Sequence, residues 1–256
     1  MYEIYALKGG EREAPCPTVL LHTDYGKTTK MAYYFFCLKG NDHTMLIDTG
    51  ISLEELKLRG ITGVPTRQEL LSRIDVRPED IDTIILTHVH GDHFAQPEIY
   101  PNCIFYLQRK EFDFWSGDVQ RFHNLFCLPF NKDVPGVQIS TLQQLNFQER
   151  VRVLDGDTEI YPGIRALWWG AHTPGSQVVV VETARGTVLY CADFFDIYRN
   201  MEERIPVGML TSLEEWMNGM GKLELMHLPK ESIIPGHDPQ LMTMFPKVAE
   251  DVVKIA

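Results

Sequence analysis

The 256-residue chain lacks any apolar run long enough to cross a membrane; its longest, such as Val178–Val181 and Ile81–Leu86, are short or broken by Asp82. Met1–Gly10 lacks a basic stretch followed by an apolar core and a small-residue cleavage site. No secretory leader is therefore expected, and the chain reads as cytoplasmic. Positive charge is in deficit: 24 Lys and Arg stand against 35 Asp and Glu, a formal net charge of −11. The basic residues are scattered, so nucleic acid is not expected as a partner, because phosphate binding needs clustered cations. The five cysteines (Cys16, Cys37, Cys103, Cys127 and Cys191) include no pair with the spacing of a zinc knuckle or redox dithiol. They are expected as buried free thiols. Gly-x-Ser-x-Gly is absent, which removes the serine nucleophile of that motif. Low-complexity segments, long linkers and repeats are absent too, so residues 1–256 are expected to form one domain.

What is present reads as alternating strands and helices. β-branched and aromatic residues mark strands at Met31–Leu38, Thr44–Ile47, Thr83–Leu86, Cys103–Leu107, Ile164–Trp168, Gln177–Glu182, Thr187–Cys191 and Ser232–Ile234. Ala184-Arg185-Gly186 reads as a hairpin turn. Capping-box patterns at Thr66–Glu69 and Ser212–Glu215 open helices, the second running to about Met226. Further helices are expected at Arg109–Trp115 and within Pro239–Val253. Strands alternating with helices in both halves imply layered sheets with outer helices.

The chemistry concentrates in Thr87-His88-Val89-His90-Gly91-Asp92-His93, which follows an apolar strand. Alternation puts His88 and His90 on one side of the extended chain. A turn at Gly91 then presents Asp92 and His93 on the other flank. Four ligand-type side chains in six residues can split into two pairs for two adjacent metals. Crowded imidazoles and a carboxylate leaving water need compensation, and a metal ion supplies it.

This segment resembles the HxHxDH signature of the metallo-β-lactamase superfamily. Later motifs agree in order: Ala171-His172-Thr173-Pro174-Gly175, Asp193 at the end of a strand, and Pro235-Gly236-His237-Asp238. Asp48-Thr49-Gly50 is similar to the family's early Asp-x-Gly turn. The resemblance implies an α/β fold, the αββα four-layer sandwich, with metals at one sheet edge. It implies one metal on His88, His90 and His172, a second on Asp92, His93 and His237, and Asp193 bridging both. It also implies Asp48 orienting a ligand histidine through a hydrogen bond. His22, His43, His123 and His227 lack motif context and are read as non-ligands.

Two divalent metals about 3.5–4 Å apart can share a water and lower its pKa, so that the bridging hydroxide attacks an electrophilic carbon or phosphorus. Asp92 is the expected catalytic proton carrier. Nitrogen-rich ligation suits zinc, with manganese, iron or cobalt as competitors. His90 stands where electron-transferring di-iron relatives usually carry a carboxylate, which favours hydrolysis. Within the superfamily the chain looks most like the N-acyl-homoserine lactonases, quorum-quenching enzymes that open a small lactone ring. In one departure, Asp196 stands where those enzymes commonly place a tyrosine, three residues after the bridging aspartate. Phe194, Phe195, Asp196 and Tyr198 are the expected substrate contacts. In another, Gly91 replaces a bulky aromatic and is expected to open space near the metals. The stretch from His22 to Phe36 reads as part of a lid over an acyl tail, or, for Tyr33–Phe36, as core strand. Aromatics in Phe112–Phe130 fit a homodimer surface, a lid or internal packing. Hydrolysis of another cyclic ester or cyclic amide stays open, as does a glyoxalase II-like thioesterase. A phosphodiesterase or nuclease is disfavoured by the acidic balance. The expected partner is a small-molecule substrate, with no membrane.

Overall fold

The computed structural model describes residues 1–40, 42–118 and 136–256. Its strands, in chain order, are β1 (Glu3–Pro15), β2 (Thr28–Gly40), β3 (His43–Ile47), β4 (Thr83–Ile85), β5 (Ile104–Gln108), β6 (Val151–Leu154), β7 (Thr158–Tyr161), β8 (Ile164–Trp168), β9 (Gln177–Thr183), β10 (Gly186–Ala192), β11 (Ile233–Pro235), β12 (Lys247–Ala249) and β13 (Val252–Lys254). Eight make one sheet in the order β12-β13-β1-β2-β3-β4-β5-β6, and five make a second in the order β11-β10-β9-β8-β7. Helices are α1 (Cys16–Val19), α2 (Leu53–Leu58), α3 (Arg67–Ser72), α4 (Arg109–Asp113), α5 (Gly136–Phe147), α6 (Tyr198–Glu202), α7 (Leu213–Met226) and α8 (Leu241–Met244).

Period-2 alternation builds the layers. Val179 and Val181 of β9 join Ile4, Phe36, Ile47 and Ile85 of the large sheet in one core cluster between the sheets. Their neighbours Val178 and Val180 point the other way and pack with Trp216 and Leu223 of α7. On the opposite face, Phe35, Leu46, Ile84 and Phe105 pack with Leu70 and Leu71 of α3 and Leu142 and Leu145 of α5. Each fully buried Val or Leu contributes about 1.5–3 kcal/mol relative to exposure, so this double-sided burial sets the αββα order.

The capping box at Thr66 is present, with Thr66 Oγ1 accepting from Glu69 N (3.1 Å) and Glu69 Oε2 from Thr66 N (2.7 Å). The hairpin at 184–186 joins antiparallel β9 and β10, with Gly186 at φ 105°. The long strand β1 has no counterpart in the sequence reading. It carries Lys8, Gly9, Gly10, Glu11, Arg12 and Glu13, a poor strand composition. Its partners decide it: β2 pairs along its length and β13 along its other edge. Cys16, Cys37, Cys103 and Cys191 are buried free thiols. Cys127, His123 and the part of Phe112–Phe130 beyond residue 118 lie outside the described residues. Among those residues, no helix is long and apolar enough to cross a membrane.

Candidate metal centre

The two sheets present their loops at a common edge. Asp48 follows β3, the His88–His93 segment follows β4, Asp193 follows β10 and His237 follows β11, all at carboxyl ends of strands. His172 lies on the connection from β8 to β9. Gln177 joins the sheets behind this edge: its Nε2 donates to Leu86 O (2.7 Å) and its N to Thr87 O (3.0 Å).

The seven expected donors fall into two adjoining clusters. His88, His90, His172 and Asp193 offer ligand atoms within 4.8 Å of one another, and so do Asp92, His93 and His237. His88 Nε2 and His172 Nε2 lie 3.7 and 3.3 Å from Asp193 Oδ2. His93 Nε2 and His237 Nε2 lie 3.0 and 3.2 Å from Asp193 Oδ1. One carboxylate thus presents one oxygen to each cluster. Asp92 Oδ2 is 4.0 Å from His237 Nε2. His90 turns Nδ1 toward His172 Nε2 (2.9 Å) and His88 Nε2 (3.1 Å).

The outward ring nitrogens fix the tautomers. Asp48 accepts from Thr87 N (2.7 Å), Thr87 Oγ1 (2.8 Å) and His93 Nδ1 (2.8 Å). Thr87 Oγ1, having given its proton to Asp48, accepts from His88 Nδ1 (3.1 Å). Backbone carbonyls accept from the other two: Met209 O from His172 Nδ1 (2.7 Å) and Ala32 O from His237 Nδ1 (2.8 Å). The inward Nε2 atoms therefore face one another, His93 and His237 at 3.3 Å, and in the neutral rings each carries a lone pair. Lone pairs at that separation repel unless a cation lies among them, a proton in the metal-free protein or a metal ion. Asp193 Oδ1 is buried without a hydrogen bond. The donor set thus fits two divalent metals.

Electrostatics agree with that fit. Burial and the adjacent His172 push His90 down to about 3. Burial opposes ionisation of Asp193, yet the imidazoles around it hold its carboxyl well below the usual range. His237, also disfavoured by burial, is raised to about 9 by Asp193 and Asp92. Burial and neighbouring Asp193 push Asp196 well above the usual carboxylate range.

A cavity of about 430 Å³ opens over the clusters, lined by His90, Asp92, His172, Asp193 and His237 together with Asp196, Met31, Met209, Arg12 and Arg59. Of the four expected substrate contacts, Asp196 alone lines it. Phe194 and Phe195 pack instead with Trp169 and Trp216 behind β10. Tyr198 is buried between the sheets, its backbone N held by Asp238 Oδ2 at 2.8 Å. The resemblance places these residues near the bridging aspartate, but core packing takes the three aromatic side chains away from the cavity. From the stretch read as a lid, Met31 reaches the cavity, Tyr33–Phe36 are buried in β2, and Tyr25 is exposed. Gly91 does not use a left-handed turn. It lines the cavity, and a Cβ there would meet the mobile ends of Glu55 (Oε2 at 2.7 Å) and Gln138 (Nε2 at 3.2 Å).

The sequence reading missed Glu111. This fully buried carboxylate accepts from Val89 N (3.0 Å), Gly175 N (3.1 Å), Thr173 Oγ1 (2.7 Å) and Trp115 Nε1 (2.7 Å). It ties the His88–His93 loop to the His172 loop. Gly175 is required beside it, since a Cβ would fall 2.0 Å from Glu111 N. Glu215 is also a loop anchor. Ser212 caps α7 by accepting from Glu215 N (3.2 Å), but the Glu215 carboxylate accepts from Ala171 N (2.9 Å) and so does not close the expected capping box. Ala171 (φ 74°), Ala192 (φ 46°) and Asp48 (φ 59°) are left-handed, a conformation costly for non-glycine residues and concentrated at functional loops.

Comparison with known proteins gives a consistent picture. The family model described as the metallo-beta-lactamase superfamily matches residues 31–96. An N-acyl homoserine lactonase of Bacillus cereus is 27% identical over 171 residues, covering 66% of this chain and 60% of that protein. One from Bacillus thuringiensis is 24% identical over 229 residues, 83% of this chain and 84% of that protein. The structure of AidC, a dizinc quorum-quenching lactonase in complex with a product, superposes with a TM-score of 0.73 at 18% identity, covering 93% of this chain and 87% of that one. The fold, the matched segment and these relatives make the chain similar to the metallo-β-lactamase superfamily and, within it, to the N-acyl homoserine lactonases.

Proposed function

We propose that the protein is a single-domain, dinuclear metal-dependent hydrolase that opens a small lactone ring, N-acyl homoserine lactones being the first class to test. The carrying observation is the pair of donor clusters that share Asp193, one oxygen to each. The lactone comes from the named activity of the relatives. His88, His90 and His172 would hold one ion, Asp92, His93 and His237 the other, and Asp193 both, zinc being favoured by the nitrogen-rich set over manganese, iron or cobalt. When bound, the ions supply Lewis acidity toward the carbonyl oxygen and a more acidic water. Asp92, at the cavity wall beside His237, takes the water's proton and returns it to the departing ring oxygen. Water oxygen thereby bonds to the carbonyl carbon, the ring C–O bond breaks, and a hydroxy acid results. Asp196, its carboxyl pushed above the usual range by burial and Asp193, stands at the cavity wall where the lactonases place a tyrosine and, when protonated, offers an O–H donor there. That substitution favours, as a second reading, a cyclic ester or amide with a more polar ring. No membrane contact enters this reading, and we place the activity in the cytoplasm.

The test is proton release by the metal-reconstituted protein on acyl-homoserine lactones, other γ- and δ-lactones, cyclic amides, glutathione thioesters and a phosphodiester, each beside a chelated control. Chelator-sensitive opening of a lactone is the expected outcome. Turnover confined to the thioester or phosphodiester would reject it.

A further inference from the structure

We infer that the cavity carries an anion subsite at Arg12 and that the substrate bears a carboxylate apart from the bond that is cleaved. This deepens the lactone-hydrolase reading and rests on it for the ring. Arg12 stands on β1 opposite Met31 of β2, and both line the cavity that holds Asp92, Asp193 and His237. Its Nε donates to Tyr33 Oη at 2.5 Å. Arg59 Nη1 donates to the same oxygen at 2.7 Å, and its guanidinium lies over the Tyr33 ring, 5.3 Å from the centroid. Tyr33 is 1% exposed and set edge-on to His237, with ring centroids 5.8 Å apart. A buried phenol thus fixes two guanidinium groups side by side at the rim of the metal site.

Two adjacent positive charges repel, and each calls for an anion. Arg59 has one, since its Nη2 donates to Glu55 Oε1 at 2.5 Å. Arg12 makes no ion pair among the described residues. Its neighbour Glu11 pairs instead with Lys8 and Lys30. The other cavity carboxylates are Glu54, exposed in the first turn of α2, Asp92, whose charge acts on Arg59 and Tyr33, and Asp193 and Asp196 at the metal end. The Arg12 terminal nitrogens are left to form the paired hydrogen bonds that a planar fork makes to a carboxylate. A neutral acyl chain makes no use of such a group, whereas a ring with a carboxylate side chain matches it.

The zinc-loaded protein is assayed on a γ-lactone bearing a side-chain carboxylate and on its matching neutral carboxamide. KM for the acid is expected at least tenfold below that for the amide. Arg12→Gln should erase this difference by raising KM for the acid, and Arg12→Lys should restore part of it. Equal KM values in the wild type, or equal losses on both substrates in Arg12→Gln, overturn the inference. Should neither lactone open, the wider substrate panel decides the lactone reading, and the subsite is read by calorimetric titration with glutarate. Binding at least tenfold weaker in Arg12→Gln, at matched zinc content, supports the subsite, and equal binding overturns it.

Discussion

At the residue scale, the candidate centre depends on groups that never face the cavity. Asp48 is fully buried and collects three hydrogen bonds, from Thr87 N, Thr87 Oγ1 and His93 Nδ1. Asp48→Asn keeps the shape but presents an amide to His93, so the imidazole loses its orienting acceptor. Metal affinity is expected to fall by about 10–100-fold, measured by competition with a chromophoric chelator. His237 provides a pH signature. In metal-free protein its value is raised from 6.5 to about 9 by Asp193 and Asp92 against the effect of burial. A raised histidine stabilises fully below its unfolded value and loses that contribution as pH rises through its folded value. Metal-free protein should therefore lose thermal stability between pH 6.5 and about 9, while metal affinity rises over the same window because the competing proton leaves. Melting temperature and zinc titration across that range check both slopes. The side chains that cluster were legible in the sequence because His-x-His-x-Asp-His crowds donors that little else explains. The roles of Phe194, Phe195 and Tyr198 were not, because their burial depends on partners from distant segments, Trp169 and Trp216 for the phenylalanines and the core between the sheets for Tyr198.

At the scale of elements, loops rather than strands carry the site, and buried carboxylates hold those loops. Glu111 Oε2 accepts from Thr173, 62 residues away, while Oε1 accepts from Val89 N. Glu111→Ala strands buried donors on both histidine loops. It is expected to destabilise by about 3 kcal/mol, read as a lower urea midpoint at unchanged m-value. Zinc binding should weaken with it. Nothing in Arg109-Lys110-Glu111 announces this role, because an acidic residue in the first turn of a helix is ordinary. Strand β1 was likewise illegible from its own composition. A charged, glycine-containing stretch becomes a strand because β2 and β13 offer it two edges to pair with.

For the whole molecule, the two sheets are joined twice, by the apolar core between them and by the candidate centre at their shared edge. Candidate ligands come from the large sheet (the loop after β4) and from the small one (Asp193 and His237). Metal bound to the native state alone stabilises it by about 2.7 kcal/mol at a free concentration a hundred times Kd, or roughly 5–10 °C for a chain of this size. Chelation should lower the melting temperature by that order and re-addition of zinc should restore it, as calorimetry can check. An unchanged melting temperature would mean that the clusters do not bind metal.

The sequence by itself determined the donor residues, their order, the alternation that builds two sheets, and the helices with strong caps. Those features are local: they depend on side-chain type and on spacings of two to four residues. Tertiary structure decided which nitrogen of each imidazole faces inward, since Ala32 O orients His237 from 205 residues away. It also decided which residues line the cavity. Arg12, Met31 and Met209 reach it from distant segments, whereas Phe194, beside a ligand, turns its back on it. Burial and hydrogen-bond partnership belong to packed pairs of segments, and no local pattern encodes them.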